Sequence, residues 1–113
     1  MNNVYITSAL RTAVGSLGKS LKNICADELG ASVISSILEN PKIKKDDIDE
    51  IIMGQVLTGG SGQNPARQAA IKAGIPKEKP AYVVNQVCGS GIRSVSSGYA
   101  SIKSGISKTI IAG

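Results

Sequence analysis

The stretch PAYVVNQVCGSGIRSVSSGYASIKSGI, residues 80–106, decides how the rest of the chain is read. Ala81 to Val87 is an apolar, Val-rich run introduced by Pro80, which predicts a strand. Cys88, Gly89, Ser90 and Gly91 break the extended run. Beyond them Ile92, Val95, Tyr99, Ile102 and Ile106 fall on one helical stripe, so a helix is expected with that stripe buried and Gly105 near its end. A strand, a glycine-rich turn and a helix in that order are part of a βαβ unit, and the same alternation runs to both sides.

Upstream, Val4 to Ala9 reads as the first strand. A Gly- and Ser-containing loop, Arg11 to Ser20, leads to a helix with Ala26, Leu29, Val33 and Ile37 on one stripe and Ile34 and Leu38 beside it. Asp27 and Glu28 sit in its first turn, where acids suit the helix dipole, and Pro41 stops it. Lys44 to Asp49 is a charged connection with room for one helical turn, and Glu50 to Val56 is the second strand. Leu57 to Gly62 is too rich in Gly to be regular. Asn64 as N-cap and Pro65 at the first helical position open a helix over Ala66 to Ala73, closed by Gly74 and Pro76. Thr109 to Ala112 is the fourth strand, directly before Gly113. The pattern predicts an α/β fold with a mostly parallel sheet.

With 113 residues the chain suits one domain, burying roughly two thirds of its unfolded surface without disulfide staples. Apolar residues make up 42% and charged ones 19%, at a mean hydropathy of +0.07, which is globular composition. Three Tyr are the only aromatics, so the core must come from Ile, Val, Leu and Ala. The net charge of +5 rests on scattered basic residues with no aromatics interleaved, which indicates a solvated surface and no nucleic-acid partner. No apolar run reaches the roughly 18 residues of a membrane span, and Met1 to Tyr5 lacks the basic and apolar regions of a signal peptide. Together with two Cys far apart in sequence, these features predict a cytoplasmic protein with reduced thiols and no membrane partner.

The chain contains no His. It therefore cannot complete a Cys-His pair, a Ser-His-Asp triad or a His-containing zinc site from its own residues, and no metal is expected. Any base of that kind must come from outside this polypeptide.

Three places could carry chemistry. Ala13 to Ser20, AVGSLGKS, departs from a phosphate-binding Walker A loop only at its leading Gly. No strand candidate ends in the Asp that would hold Mg²⁺, so a surface loop is the better reading. Gly89 to Ser94 approximates the GxGxxG of a dinucleotide site, but the last acid in the chain is Glu78, and none follows to hold a ribose. Cys88 itself stands between a strand and a helix, where free N–H groups and the dipole favour a thiolate, and Gly89 and Gly91 leave room for an acyl group. Free Cys is also among the most buried residue types, so the residues alone leave nucleophile and packing residue both open. Cys25, beside an amphipathic helix with no other reactive feature, is expected to serve packing.

RTAVGS at 11–16, GQNPARQA at 62–69 and NQVCGSG at 85–91 together resolve that choice. In this order and separation they make the whole chain resemble the N-terminal part of the thiolases, most closely the acetyl-CoA acetyltransferases. The resemblance implies a thiolase-like layered fold, with residues 1–113 an incomplete N-terminal domain that stops after its fourth strand. It implies a Claisen exchange in which two acetyl-CoA give acetoacetyl-CoA and CoA, or the reverse thiolysis. Cys88 is then the catalytic nucleophile that carries the acyl group as a thioester, and its backbone N–H contributes to the oxyanion hole. Acetyl-CoA and CoA are substrates, and no resident cofactor is implied. Asn64 and Arg67 become parts of a structural motif near the active site and dimer interface, and Lys19 a variable loop residue. The catalytic His residues, a second Cys and an Asn of the family lie in a downstream portion, as do its CoA-binding segments. The chain is thus expected to need a complementary thiolase portion and to be a homo-oligomer at full length. The alternative is an inert thiolase remnant that acts at most through association.

Overall fold

Glu50–Gly54 (β1) is the strand around which everything else is arranged. Its alternating side chains serve two faces: Ile51 and Met53 point to one, Ile52 and Gly54 to the other, and Ile51 and Ile52 are both fully buried. A strand buried on both sides must be central, and β1 takes a parallel partner on each edge. These are Ala81–Val84 (β2) and Ile110–Ala112 (β3), giving the order β2-β1-β3. The computed structural model describes residues 3–113; Met1 and Asn2, at the head of the Met1–Tyr5 start, lie outside the described residues.

Helices Ala26–Leu38 (α1) and Pro65–Lys72 (α2) cover the face of Ile51. The core there is Ile34, Ile48, Ile51, Ala69, Ala70, Ile75 and Ile111, with Ile37, Leu38 and Met53 packed against it. Truncating Ile34, Ile48 or Ile51 to Ala would cost about 2–5 kcal/mol, because a close-packed Ile and Ala interior collapses only partly into the gap. The helices cross closely at Gly30, where a Cβ would lie 3.1 Å from that of Ala69. They are also tied by the Lys72–Asp27 ion pair at 2.5 Å. A short 3₁₀ turn, Lys45–Asp47, fills the charged connection before β1. Asp49 then fixes the start of β3, its Oδ2 accepting from the N–H groups of Lys108 at 2.6 Å and Thr109 at 3.0 Å.

Helix Ser90–Lys103 (α3) covers the opposite face, but not with the stripe expected of it. Its buried positions are Ser90, Ser94 and Gly98. The reason is the closeness of helix and sheet: a Cβ at Gly98 would stand 3.3 Å from Ile110 Cγ2, leaving no room for a branched side chain. Ile92 and Ile106 are consequently exposed, and Val95, Tyr99 and Ile102 border an apolar groove of about 760 Å³ shared with residues 4–11, α1 and β3. Beneath the helix, the hydroxyls of Ser101 and Ser107 donate to Glu50 Oε1 at 2.6 and 2.9 Å.

The expected strand Val4 to Ala9 has no ladder. Both edges of β1 are already occupied, so this extended run has no central backbone partner and its side chains line the groove instead, with Tyr5 74% and Ile6 81% exposed. Among the described residues, four expected strands thus become three. The second and third are also shorter than the apolar runs suggest, ending at Gly54 and Val84, and past Val84 the Asn85 side chain, not its backbone, bonds Val56 O. Among the described residues no helix is long and apolar enough to cross a membrane.

Candidate active site

The chain leaves β2 at Val84 and reaches α3 through Asn85, Gln86, Val87, Cys88 and Gly89. Asn85 turns it out of the sheet: its Nδ2 donates to Val56 O at 3.2 Å, and its Oδ1 accepts from Val87 N at 2.9 Å. Val87 then adopts φ +49, a left-handed conformation that a β-branched side chain rarely takes. The turn is closed by Gly89 N–H to Gln86 O at 3.0 Å and Ser90 N–H to Val87 O at 3.1 Å. Arg93, one turn into α3, donates through Nε to Gln86 Oε1 and clamps the two ends together.

This geometry presents Cys88 to solvent immediately before Gly89, the N-cap of α3. Gly91, in the first turn, has open space where a Cβ would be. Cys88 therefore lies beside a helix N-terminus with no acidic residue in its first turn. Within these residues Cys88 is exposed and not packed as a small hydrophobe.

Gly54 is what the sequence reading missed. A Cβ there would meet Ser90 C at 2.4 Å and Gly91 N at 2.6 Å, so the C-terminal end of β1 and the first turn of α3 touch backbone to backbone. An isolated glycine closing an apolar strand is the available signal, since such a glycine often marks a close approach. Ser90, buried with only 4% of its surface exposed, was read merely as part of a glycine-rich turn.

The GQNPARQA segment supports the neighbouring loops. Asn64, itself at φ +44, caps α2 by accepting from Arg67 N at 3.2 Å and donates to Ala81 O at 2.8 Å. The Arg67 guanidinium reaches Lys79 O at 2.9 Å and Lys77 O at 2.8 Å. Gln68 Nε2 holds Ser61 O and Gln63 O, both at 2.8 Å. These are ordering contacts, as expected of Asn64 and Arg67, and they fix the chain on either side of β2.

The other candidates fare differently. Ala13 to Ser20 forms exposed turns, and α1 begins only at Ala26, so Lys19 and Ser20 do not stand at a helix N-terminus as a phosphate cradle requires. Cys25 is exposed rather than packed, which corrects the expectation for it: it is the N-cap of α1, and its N–H donates to Glu28 Oε2 at 2.9 Å. Among the described residues no group of three or more Cys, Asp and Glu could hold a metal.

The thiolase N-terminal domain family matches residues 4–113. An acetyl-CoA acetyltransferase of Cupriavidus necator is 54% identical over 113 residues, all of this chain and 29% of that protein. The acetyl-CoA acetyltransferase of Rhizobium meliloti is 51% identical over 111 residues, 98% of this chain and 28% of the relative. That of Escherichia coli is 47% identical over 113 residues, again 29% of its length. The chain therefore spans under a third of the relatives it matches.

Proposed function

From the premise that this chain belongs to the thiolase family through its N-terminal domain, we propose that it is the nucleophile-bearing part of an acetyl-CoA acetyltransferase, with Cys88 as the acyl acceptor. The observation that supports this most is the placement of an exposed thiol at the α3 N-terminus beside the open position at Gly91. In this reading the Cys88 thiolate attacks the carbonyl of one acetyl-CoA. The carbon–sulfur bond to CoA breaks, and CoA leaves as a thiolate that takes up a proton. A second acetyl-CoA loses a proton at its methyl carbon, attacks the enzyme thioester and releases the Cys88 thiolate with acetoacetyl-CoA. Dividing the exchange this way keeps a reactive acyl thioester in play throughout, with the oxyanion of each step held by N–H groups that include that of Cys88.

The bases for both proton transfers come from outside these 113 residues, because the chain holds no His. No resident cofactor is needed, the acyl donor is an acyl-CoA, and the whole enzyme is a homo-oligomer of the cytoplasm, where two free thiols such as Cys25 and Cys88 stay reduced. The decisive experiment supplies the downstream portion of a thiolase in trans. Thiolysis of acetoacetyl-CoA should then appear and should be abolished by Cys88→Ser, whereas the 113-residue chain alone should show none. Failure of any downstream thiolase portion to confer activity would instead favour an inert association module.

A further inference from the structure

Val87 occupies a backbone region that glycine takes freely and a β-branched residue does not, so something must hold it there. The holding group is the Ser90 hydroxyl. Ser90 Oγ donates to Val87 O at 2.6 Å and accepts from Gln86 N at 2.9 Å, using its single proton and one lone pair. The Ser90 N–H reaches the same Val87 carbonyl at 3.1 Å. Ser90 is itself immobilised, buried and pressed backbone to backbone against Gly54. One side chain thus bridges the residues on the N-terminal side of Cys88 to the first turn of α3 behind it.

We propose that Ser90 is a positioning residue for Cys88: its hydroxyl is the clasp that keeps Val87 left-handed, so that the Cys88 thiol is presented at the start of α3. Without the clasp Val87 relaxes to ordinary backbone angles, the Val87–Cys88 peptide rotates, and the sulfur leaves the helix N-terminus. This inference rests on the reading of Cys88 as acyl acceptor for its purpose, but not for its test.

The test compares alkylation of Cys88 by iodoacetamide with that of Cys25 in the same 113-residue molecule, read by peptide mass spectrometry, with circular dichroism to confirm folding. Ser90→Ala should lower the Cys88 to Cys25 ratio by about fivefold, the population change governed by one hydrogen bond of ordinary net strength, toward its value in urea. In a Val87→Gly background the same Ser90→Ala change should lower the ratio much less, because glycine takes the left-handed region without strain and the remaining bonds of the turn then suffice to hold it. A folded Ser90→Ala chain with an unchanged ratio overturns the proposal, and so does an equal fall in the Val87→Gly background. If Ser90→Ala alone does not fold, the double variant decides: a high ratio supports the clasp and a low one overturns it. Acetylation of Cys88 by acetyl-CoA, measured separately with the downstream thiolase portion present, tests the underlying reading. A high alkylation ratio without acetylation refutes the acyl acceptor and leaves the clasp standing.

Discussion

The molecule carries two cysteines at two helix N-termini, and they are built in opposite ways. Cys25 caps α1, whose first turn holds Asp27 and Glu28, and its own N–H is bonded to the Glu28 carboxylate. Cys88 precedes α3, whose first turn has no acid, with Arg93 just beyond it and a left-handed residue in front. Both thiols are exposed and free. The two helix termini therefore offer their cysteines different surroundings. At α1 the positive end of the dipole is already matched by carboxylates, while at α3 it is left for a developing anion.

The strongest way to break this contrast is Gly54→Ala. The added methyl would overlap the Ser90 carbonyl carbon, so the first turn of α3 must move. A loss of about 3 kcal/mol in urea unfolding is expected, with Cys88 alkylation falling toward its value in urea while Cys25 is unaffected. Next in size is Asn64→Ala, which removes both the cap of α2 and the bond to Ala81 O and should cost about 2 kcal/mol by the same measurement.

Asp27 adds a pH signature to the α1 side. The Lys72 ammonium bonded to it holds its carboxyl below the usual range against an opposing effect of burial, and Lys72 in turn is raised by Asp27. Because the folded value of Asp27 is the lower one, this stabilisation is present above the unfolded carboxylate value of about 3.9 and is lost as pH falls through the folded value. The Lys72 contribution is present below about 10.4 and is lost as pH rises through its raised value. Asp27→Asn should therefore be less stable than the parent at pH 7, with the difference vanishing in strong acid; a constant difference across the acid limb of a thermal-unfolding series would contradict it. The smallest effect is Glu28→Gln, which removes one anion beside Cys25 but keeps an oxygen for its N–H. Alkylation of Cys25 should rise about twofold, and less in high salt, which screens exposed charges.

Much of this was legible in the chain. The Asn64–Pro65 helix start, the Gly74 turn, the strand either side of Ile51 and the position of Cys88 all follow from short-range rules, because caps, turn residues and apolar runs act within a few residues. The errors share a cause as well. Val4 to Ala9 has the composition of a strand, and the stripe of Val95, Tyr99 and Ile102 has the spacing of a buried helix face, but pairing and burial depend on what stands opposite. Opposite α3 stands a sheet so close that only Ser90, Ser94 and Gly98 fit between them. Cys25 was misjudged for the same reason, since an amphipathic helix does not reveal whether its N-cap faces the core.

The sequence by itself determined the family, through motifs whose residue types and separations are unmistakable, and, through the absence of His, that no His-based pair or triad is completed within these residues. Only the tertiary structure decided the difference in what surrounds Cys88 and Cys25, both of which are exposed. That difference arises from backbone approach at Gly54 and from the Ser90 bonds that bridge Gln86 and Val87, contacts whose energy depends on distances that no spacing along the chain encodes.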